Sequence, residues 1–256
     1  MNRLRFACCA VALCAALCSS PLFAQTVCDE GNGRLDSAPP NGITPAEIIQ
    51  KFAAQDTLFQ AARDQYSYTV DLTIQTLNGG RIDGAYRQAW EIAVNEKGAR
   101  TEKQSLAPQG ALNGIRVSKD DLEDARQRLA FLLPARDLAQ FSVTYVGQQR
   151  VDQLDTYVFD VSPKDAKKGA QMFQGRIWVD DRDLIIVKNC GTVRRNPNDA
   201  KNKTDVSPTF ATYRQPVDQF WFPTYSRAEE DLRFPGGNVY VREVVKFLNY
   251  KRGAAK

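Results

Sequence analysis

Two short stretches of the chain gather carboxylates closely enough to suggest chemistry: Asp180, Asp181 and Asp183 in one, and Glu229, Glu230 and Asp231 in the other. Two carboxyls facing each other across a cleft at roughly 5–10 Å can hydrolyse glycosides, and aspartates clustered in a turn can hold calcium. Arg182, in the middle of the first set, opposes a cation there. Acidic turns at strand ends are most simply solvated, so a carboxylate-dependent hydrolase is kept only as an alternative. The chain contains no histidine, which excludes Ser-His-Asp and Cys-His nucleophiles and histidine-held zinc or iron. With no catalytic set in view, the expectation is a protein that is not an enzyme and needs neither cofactor nor metal.

Cysteine usage depends on processing. Met1 to Arg5 is basic, Phe6 to Leu17 is apolar, and Leu22-Phe23-Ala24 ends in a small residue. That order is the pattern of a secretory leader cleaved after Ala24, and the apolar run falls short of the roughly 20 residues a membrane-spanning helix needs. Cys8, Cys9, Cys14 and Cys18 leave with it. Leu13 and Leu17 before Cys14 and Cys18 argue against lipidation, which needs a small residue there. Cys28 and Cys190 remain, and an oxidising compartment invites a bond between them, worth about 2–4 kcal/mol. Two free thiols are the alternative, because sequence spacing does not fix geometry. The localisation expected is the periplasm.

Charge excludes one class of partner. Lys and Arg number 34 against 30 Asp and Glu; without Arg3 and Arg5 the balance is 32 against 30, a net of +2. The charges are interspersed rather than striped, so no nucleic-acid footprint is present.

The elements that would position any site are mostly strands. Residues 25–42 are rich in Gly, Pro, Asp and Asn and read as a flexible lead-in. Thr44-Pro45-Ala46-Glu47 carries the signals of a helix start, and Ile48, Ile49, Phe52, Leu58 and Phe59 extend an amphipathic helix to about Arg63. Tyr66, Tyr68, Val70, Leu72 and Ile74 then alternate with polar residues along a long strand. Asn78-Gly79-Gly80 turns into a second strand carrying Ile82, Tyr86, Trp90, Ile92 and Val94, and a third covers Arg100 to Leu106. Pro108 to Pro134 interrupts the pattern, with a helix starting at Ser118 and stopping at Pro134. Further strands are expected at Phe141 to Val146, Thr156 to Val161, Phe173 to Asp180, Leu184 to Lys188, Phe210 to Gln215, Trp221 to Ala228 and Val239 to Tyr250. Gly147 to Asp155 reads as a turn, and Gly175 marks a bulge or a close backbone approach. Ten or eleven strands and two helical segments without βαβ alternation give one α+β domain over residues 43–252.

The order of leader, capped helix, long antiparallel strands and helical insertion is followed by Gln174-Gly175-Arg176-Ile177-Trp178-Val179-Asp180 turning into Leu184-Ile185-Ile186-Val187. With Phe222-Pro223-Thr224 and a last strand ending in Phe247 and Tyr250, this resembles the periplasmic LolA/LolB-type lipoprotein-sorting proteins from about Ile43 to Arg252. The resemblance implies an unclosed antiparallel β-barrel, a half-barrel whose apolar concave face is covered by helices and accepts acyl chains without covalent chemistry. Cys28, Cys190 and the long Gly191 to Pro208 loop depart from that pattern. The partners implied are lipid or lipoprotein acyl chains, with envelope membrane proteins as further candidates and the chain acting as a monomer. A second functional class, an envelope interaction or sensor module of the same fold, stays open beside the carrier.

A carrier needs an apolar wall that is incompletely filled. The residues expected to form it are Tyr68, Leu72, Tyr86, Trp90, Ile177, Val241 and Phe247, and the alternative is that they simply fill a core. Glu243 shares the alternating face of Val241, Val245 and Phe247. It is expected to bond an inward arginine, to meet a ligand headgroup, or to be turned out to water by a bulge.

Overall fold

The computed structural model describes residues 27–95, 99–119, 122, 131–165, 172–194, 208–234 and 236–253. The expected leader, most of the helix expected from Ser118 and most of the loops at 163–169 and 191–208 lie outside the described residues.

Helix α1 (Pro45–Arg63) begins where the sequence places it. Thr44 Oγ1 accepts from the Glu47 backbone N–H at 3.2 Å, and Glu47 Oε2 accepts from the Thr44 N–H at 2.8 Å, closing a capping box. Glu47 carries the matching electrostatic signature: its pKa is lowered, first by the backbone hydrogen bond from Thr44. Ile48, Phe52 and Phe59 form the buried stripe, but Leu58 is 59% exposed. At 100° per residue Leu58 falls well off the arc shared by Ile48, Phe52 and Phe59, which corrects its expected place in the core.

Ten strands follow among the described residues: β1 (Tyr66–Asn78), β2 (Arg81–Val94), β3 (Arg100–Ala111), β4 (Phe141–Val151), β5 (Leu154–Pro163), β6 (Met172–Asp180), β7 (Ile186–Arg194), β8 (Thr209–Val217), β9 (Phe220–Phe234) and β10 (Gly237–Arg252). They form one antiparallel sheet in the order β3-β2-β1-β10-β9-β8-β7-β6-β5-β4. Edge strands β3 and β4 do not pair with each other among the described residues, so the sheet is unclosed. Every neighbouring pair joins strands consecutive in sequence except β1 with β10, which brings together the two ends of the domain through a register from Tyr66↔Arg252 to Leu77↔Tyr240. A 3₁₀ helix, Ala135–Gln140, leads into β4.

Several strands run further than the sequence suggested, β7 to Arg194 and β9 to Phe234 among them. β3 continues through Pro108 to Ala111; as an edge strand it tolerates a residue with no N–H to donate. β4 continues past Gly147 to Val151, and the register shifts there, between Tyr145 and Gly147. Gly147 is therefore a bulge and not a turn. A Cβ on it would lie 2.2 Å from the Asp36 carbonyl oxygen, so glycine admits a close approach of the N-terminal segment.

That segment is no loose lead-in from Val27 onward. Gly33 and Asp36 donate to the Arg150 and Gln148 carbonyls, and Gln148 donates back to Asp36, so residues 32–36 cap the outer edge of β4. The bond between Cys28 and Cys190 (Cα–Cα 5.3 Å) fastens the segment to β7. An exposed strand edge is an aggregation template, and here the chain covers one edge with its own residues.

Candidate functional site

Register assigns the faces of the sheet. Ile177 on β6 pairs with Asn189 on β7, Asn189 with Thr212 on β8, Thr212 with Ser226 on β9, Ser226 with Val245 on β10, and Val245 with Leu72 on β1. Residues directly opposite share a face, so all six lie on one surface. It is the surface α1 covers, because Ile177 packs in one cluster with Ile48 and Phe52. This inner face holds two apolar regions. One, beneath α1, joins Ile48 and Phe52 to Phe159, Phe173, Ile177 and Phe210. The other lies on β1, β2 and β10 and joins Val70, Leu72, Ile74, Trp90, Val245 and Phe247, with Tyr68, Tyr86 and Val241 against it.

The structure thus brings together six of the seven expected wall residues: Tyr68, Leu72, Tyr86, Trp90, Val241 and Phe247. Ile177 is separate from them and fully buried under α1. Above the first six runs the chain after β3. Leu112, Val117 and Leu122 pack against the cluster, and a cleft of about 530 Å³ opens at its margin, lined by Tyr86, the end of β3, Leu112, Ile115, Arg116 and Val117. Ring contacts carry the apolar surface toward the end of α1: Tyr68 lies 5.2 Å from Tyr250, Tyr250 4.5 Å from Phe222, and Phe222 4.9 Å from Phe59. Tyr250 donates to the Pro223 carbonyl at 2.6 Å, and its burial pushes the phenol pKa up.

Glu243 is half-buried on the inner face, between Ala228 of β9 and Ile74 of β1, and no register shift interrupts β10 around it.

Beneath α1 the inner face is locked by charge. Arg214 on β8 donates to Asp56 on α1 at 2.7 Å, with both side chains at most 2% exposed. Arg214 also donates to the Phe131 carbonyl at 2.8 Å, and Asp56 accepts from the Leu133 N–H at 2.8 Å. Groups from α1, β8 and the chain before the 3₁₀ helix thus satisfy one another. The sequence carried a faint signal of this pair. Arg214 alternates with Phe210 and Thr212, and Asp56 falls four residues after Phe52 within the apolar stripe of the helix.

The acidic stretches do structural work. Asp180 is 4% exposed, and its carboxylate accepts from the Arg182 and Asp183 N–H groups, which closes the β6–β7 turn. Burial raises Asp181, and neighbouring Asp180 and Asp155 add to the effect. Burial also pushes Glu229 upward, but hydrogen bonds from Tyr240, Arg227 and Arg242 outweigh it and hold the carboxyl below its usual range. Its partner Tyr240 is pushed up to about 12 by burial and by that same bond. Among the described residues no group of three metal-capable side chains occurs.

On the outer face Lys188 is completely buried beneath residues 28–32. Its ammonium donates to the Cys28 and Glu30 carbonyls and to Asn32 Oδ1, at 2.7 to 2.9 Å, between the rings of Trp178 and Tyr213, each 4.8 Å away. Desolvation lowers its pKa to about 8. Sequence reading missed this residue, because a lysine after an apolar run looks like a strand end.

No family model matches the chain, and no curated protein does. Solved structures do. A DUF1329 family protein from Desulfovibrio piger is 13% identical over 83% of this chain and 95% of its own, with a TM-score of 0.42. A LolA superfamily protein from Nitrosomonas europaea is also 13% identical, over 84% of this chain and 96% of its own, with a TM-score of 0.37. A domain described as outer membrane lipoprotein-sorting, from Vibrio parahaemolyticus, is 12% identical over 81% and 94%, with a TM-score of 0.36. At these scores the likeness carries no weight for function, which rests on the geometry of this chain.

Proposed function

We propose that the protein binds the acyl chains of a lipid or lipoprotein non-covalently, entering at the cleft between Tyr86 of β2 and the chain after β3. One observation carries this reading: about 530 Å³ of open space lies between Tyr86, at the margin of the apolar cluster, and the chain from Leu112 to Val117, which packs against that cluster. That volume falls within the usual range of ligand pockets. Each methylene moved from water onto such a wall is worth about 0.8 kcal/mol, so long chains are held without covalent chemistry. One carboxylate from each acidic stretch, Asp180 in the turn and Glu229 in the ion-pair network, is committed to structure, which favours a binding protein over a hydrolase. A leader ending at Ala24 and the Cys28–Cys190 bond favour a periplasmic setting.

Titration of the purified chain with a fatty acid carrying a polarity-sensitive fluorophore tests this. Saturable enhancement is expected, and it should be lost in Ile115→Asp or Val117→Asp, which place a charge in the cleft. Enhancement that survives both substitutions, or that never saturates, refutes the assignment.

A further inference from the structure

The apolar inner face is crossed at one level by a row of neutral polar side chains. Asn189 is 2% exposed, Thr212 1% and Ser226 5%, and they stand in register on β7, β8 and β9. Thr212 Oγ1 donates to Ser226 Oγ at 3.0 Å. Asn189 Nδ2 is buried and has no hydrogen-bond partner among the described residues. The row is bounded by Ile177 under α1 and by Val245 and Leu72 of the cluster on β1, β2 and β10, so it joins the two apolar regions.

A buried N–H without an acceptor weakens folding, and a leucine of similar volume at the same place would not. Packing alone therefore gives no reason for an asparagine here. The chemistry of the row selects what would satisfy it. It offers an amide donor and two hydroxyls and carries no charge of its own, and the neighbouring cation, Arg214, is committed to Asp56 and Phe131. A phosphate or carboxylate would be left uncompensated in such surroundings. A neutral carbonyl with apolar chain beside it fits both the donors and the flanking residues.

Resting on the acyl-chain reading above, we propose that Asn189, with Thr212 and Ser226, forms a subsite for the carbonyl of the ester or amide bond that joins an acyl chain to its headgroup. Asn189 Nδ2 donates to that oxygen, while the chain lies along Val245 and Leu72. The row is closed to solvent, so the ligand reaches it by displacing side chains that cover it.

The test compares two probes on the full mature chain: a diacyl phosphatidylglycerol, and the dialkyl ether lipid with the same chains and headgroup but no carbonyl. One neutral hydrogen bond gained in a buried site corresponds to about a three- to tenfold preference for the ester lipid in wild type. Asn189→Leu should bind both probes equally, at the wild-type affinity for the ether lipid, and its lipid-free Tm should equal or exceed that of wild type. Equal binding of both probes by wild type overturns the subsite while leaving the acyl-chain reading intact. An ester preference that persists in Asn189→Leu also overturns it, as does a Tm lowered by that substitution. Binding of neither probe overturns the acyl-chain reading and the subsite with it.

Discussion

Replacing Asp56 by asparagine removes a charge from the least hydrated ion pair described in the molecule while leaving the shape of the side chain. Arg214 would then stand 2% exposed at its side chain without a counter-charge, still donating to the Phe131 carbonyl. Asp56 now serves Arg214 and the Leu133 N–H with separate oxygens, at 2.7 and 2.8 Å, whereas the single amide oxygen can serve one of them, so the change removes one hydrogen bond together with the charge. Stranding a buried charge costs about 3–5 kcal/mol, against a typical total stability of roughly 5–15 kcal/mol. Adding Arg214→Met removes the stranded cation, and much of the loss should return, because an ion pair replaced by apolar side chains is often near neutral. Equilibrium urea denaturation of wild type, the two single variants and the double variant gives the coupling directly. A loss in Asp56→Asn below about 1 kcal/mol, the range of exposed pairs, would refute the idea that this pair locks α1 to the sheet.

Three further outcomes follow from the same geometry. Reducing the Cys28–Cys190 bond should lower stability by about 2–4 kcal/mol, read as a lower urea midpoint; an unchanged midpoint would mean that the bond adds nothing to the capping of β4. Lys188, lowered to about 8 from 10.5, binds its proton less readily folded than unfolded, so its burial penalty is lifted as pH rises from about 8 toward 10. Above about pH 10, tyrosines such as Tyr240, raised in the folded state, oppose that gain; urea midpoints of wild type should therefore rise between pH 8 and 10 relative to those of Lys188→Met, and parallel profiles would contradict this. Gly175→Ala places a Cβ 2.2 Å from the Cys190 carbonyl oxygen and 2.5 Å from Gly191 Cα, which forces β6 and β7 apart and should cost about 1–3 kcal/mol in thermal unfolding; an unchanged Tm would show that the strands can part freely there.

The local elements were legible because their signals are local. The box of Thr44 and Glu47, the alternation from Tyr66 to Ile74 and the Asn78-Gly79-Gly80 turn each specify structure within a few residues. Gly175 was recognised as a position of close approach, although its partner, Gly191, was not. That six of the residues expected to form a wall share one cluster on β1, β2 and β10 was legible because alternation separates faces whatever the strand order. What stayed hidden depends on distant pairing. Nothing near Tyr66 announces that it lies opposite Arg252, and without that register Ile177 could not be separated from the other wall residues. Polar residues inside the fold were hidden for the same reason: Arg214, Lys188 and Asn189 take their meaning from Asp56, from the Cys28 to Asn32 backbone and from Thr212. The segment from Val27 looked loose because its composition is that of a loop, while its order comes from an edge strand and a disulfide far along the chain.

Native mass spectrometry of the chain, gently purified from an envelope fraction, tests the central claim most directly. The account predicts an added mass matching a diacyl lipid or an acylated peptide, released by mild activation and absent from Ile115→Asp prepared in parallel. A bare chain in both preparations, together with no uptake from phosphatidylglycerol vesicles supplied in excess, would contradict it.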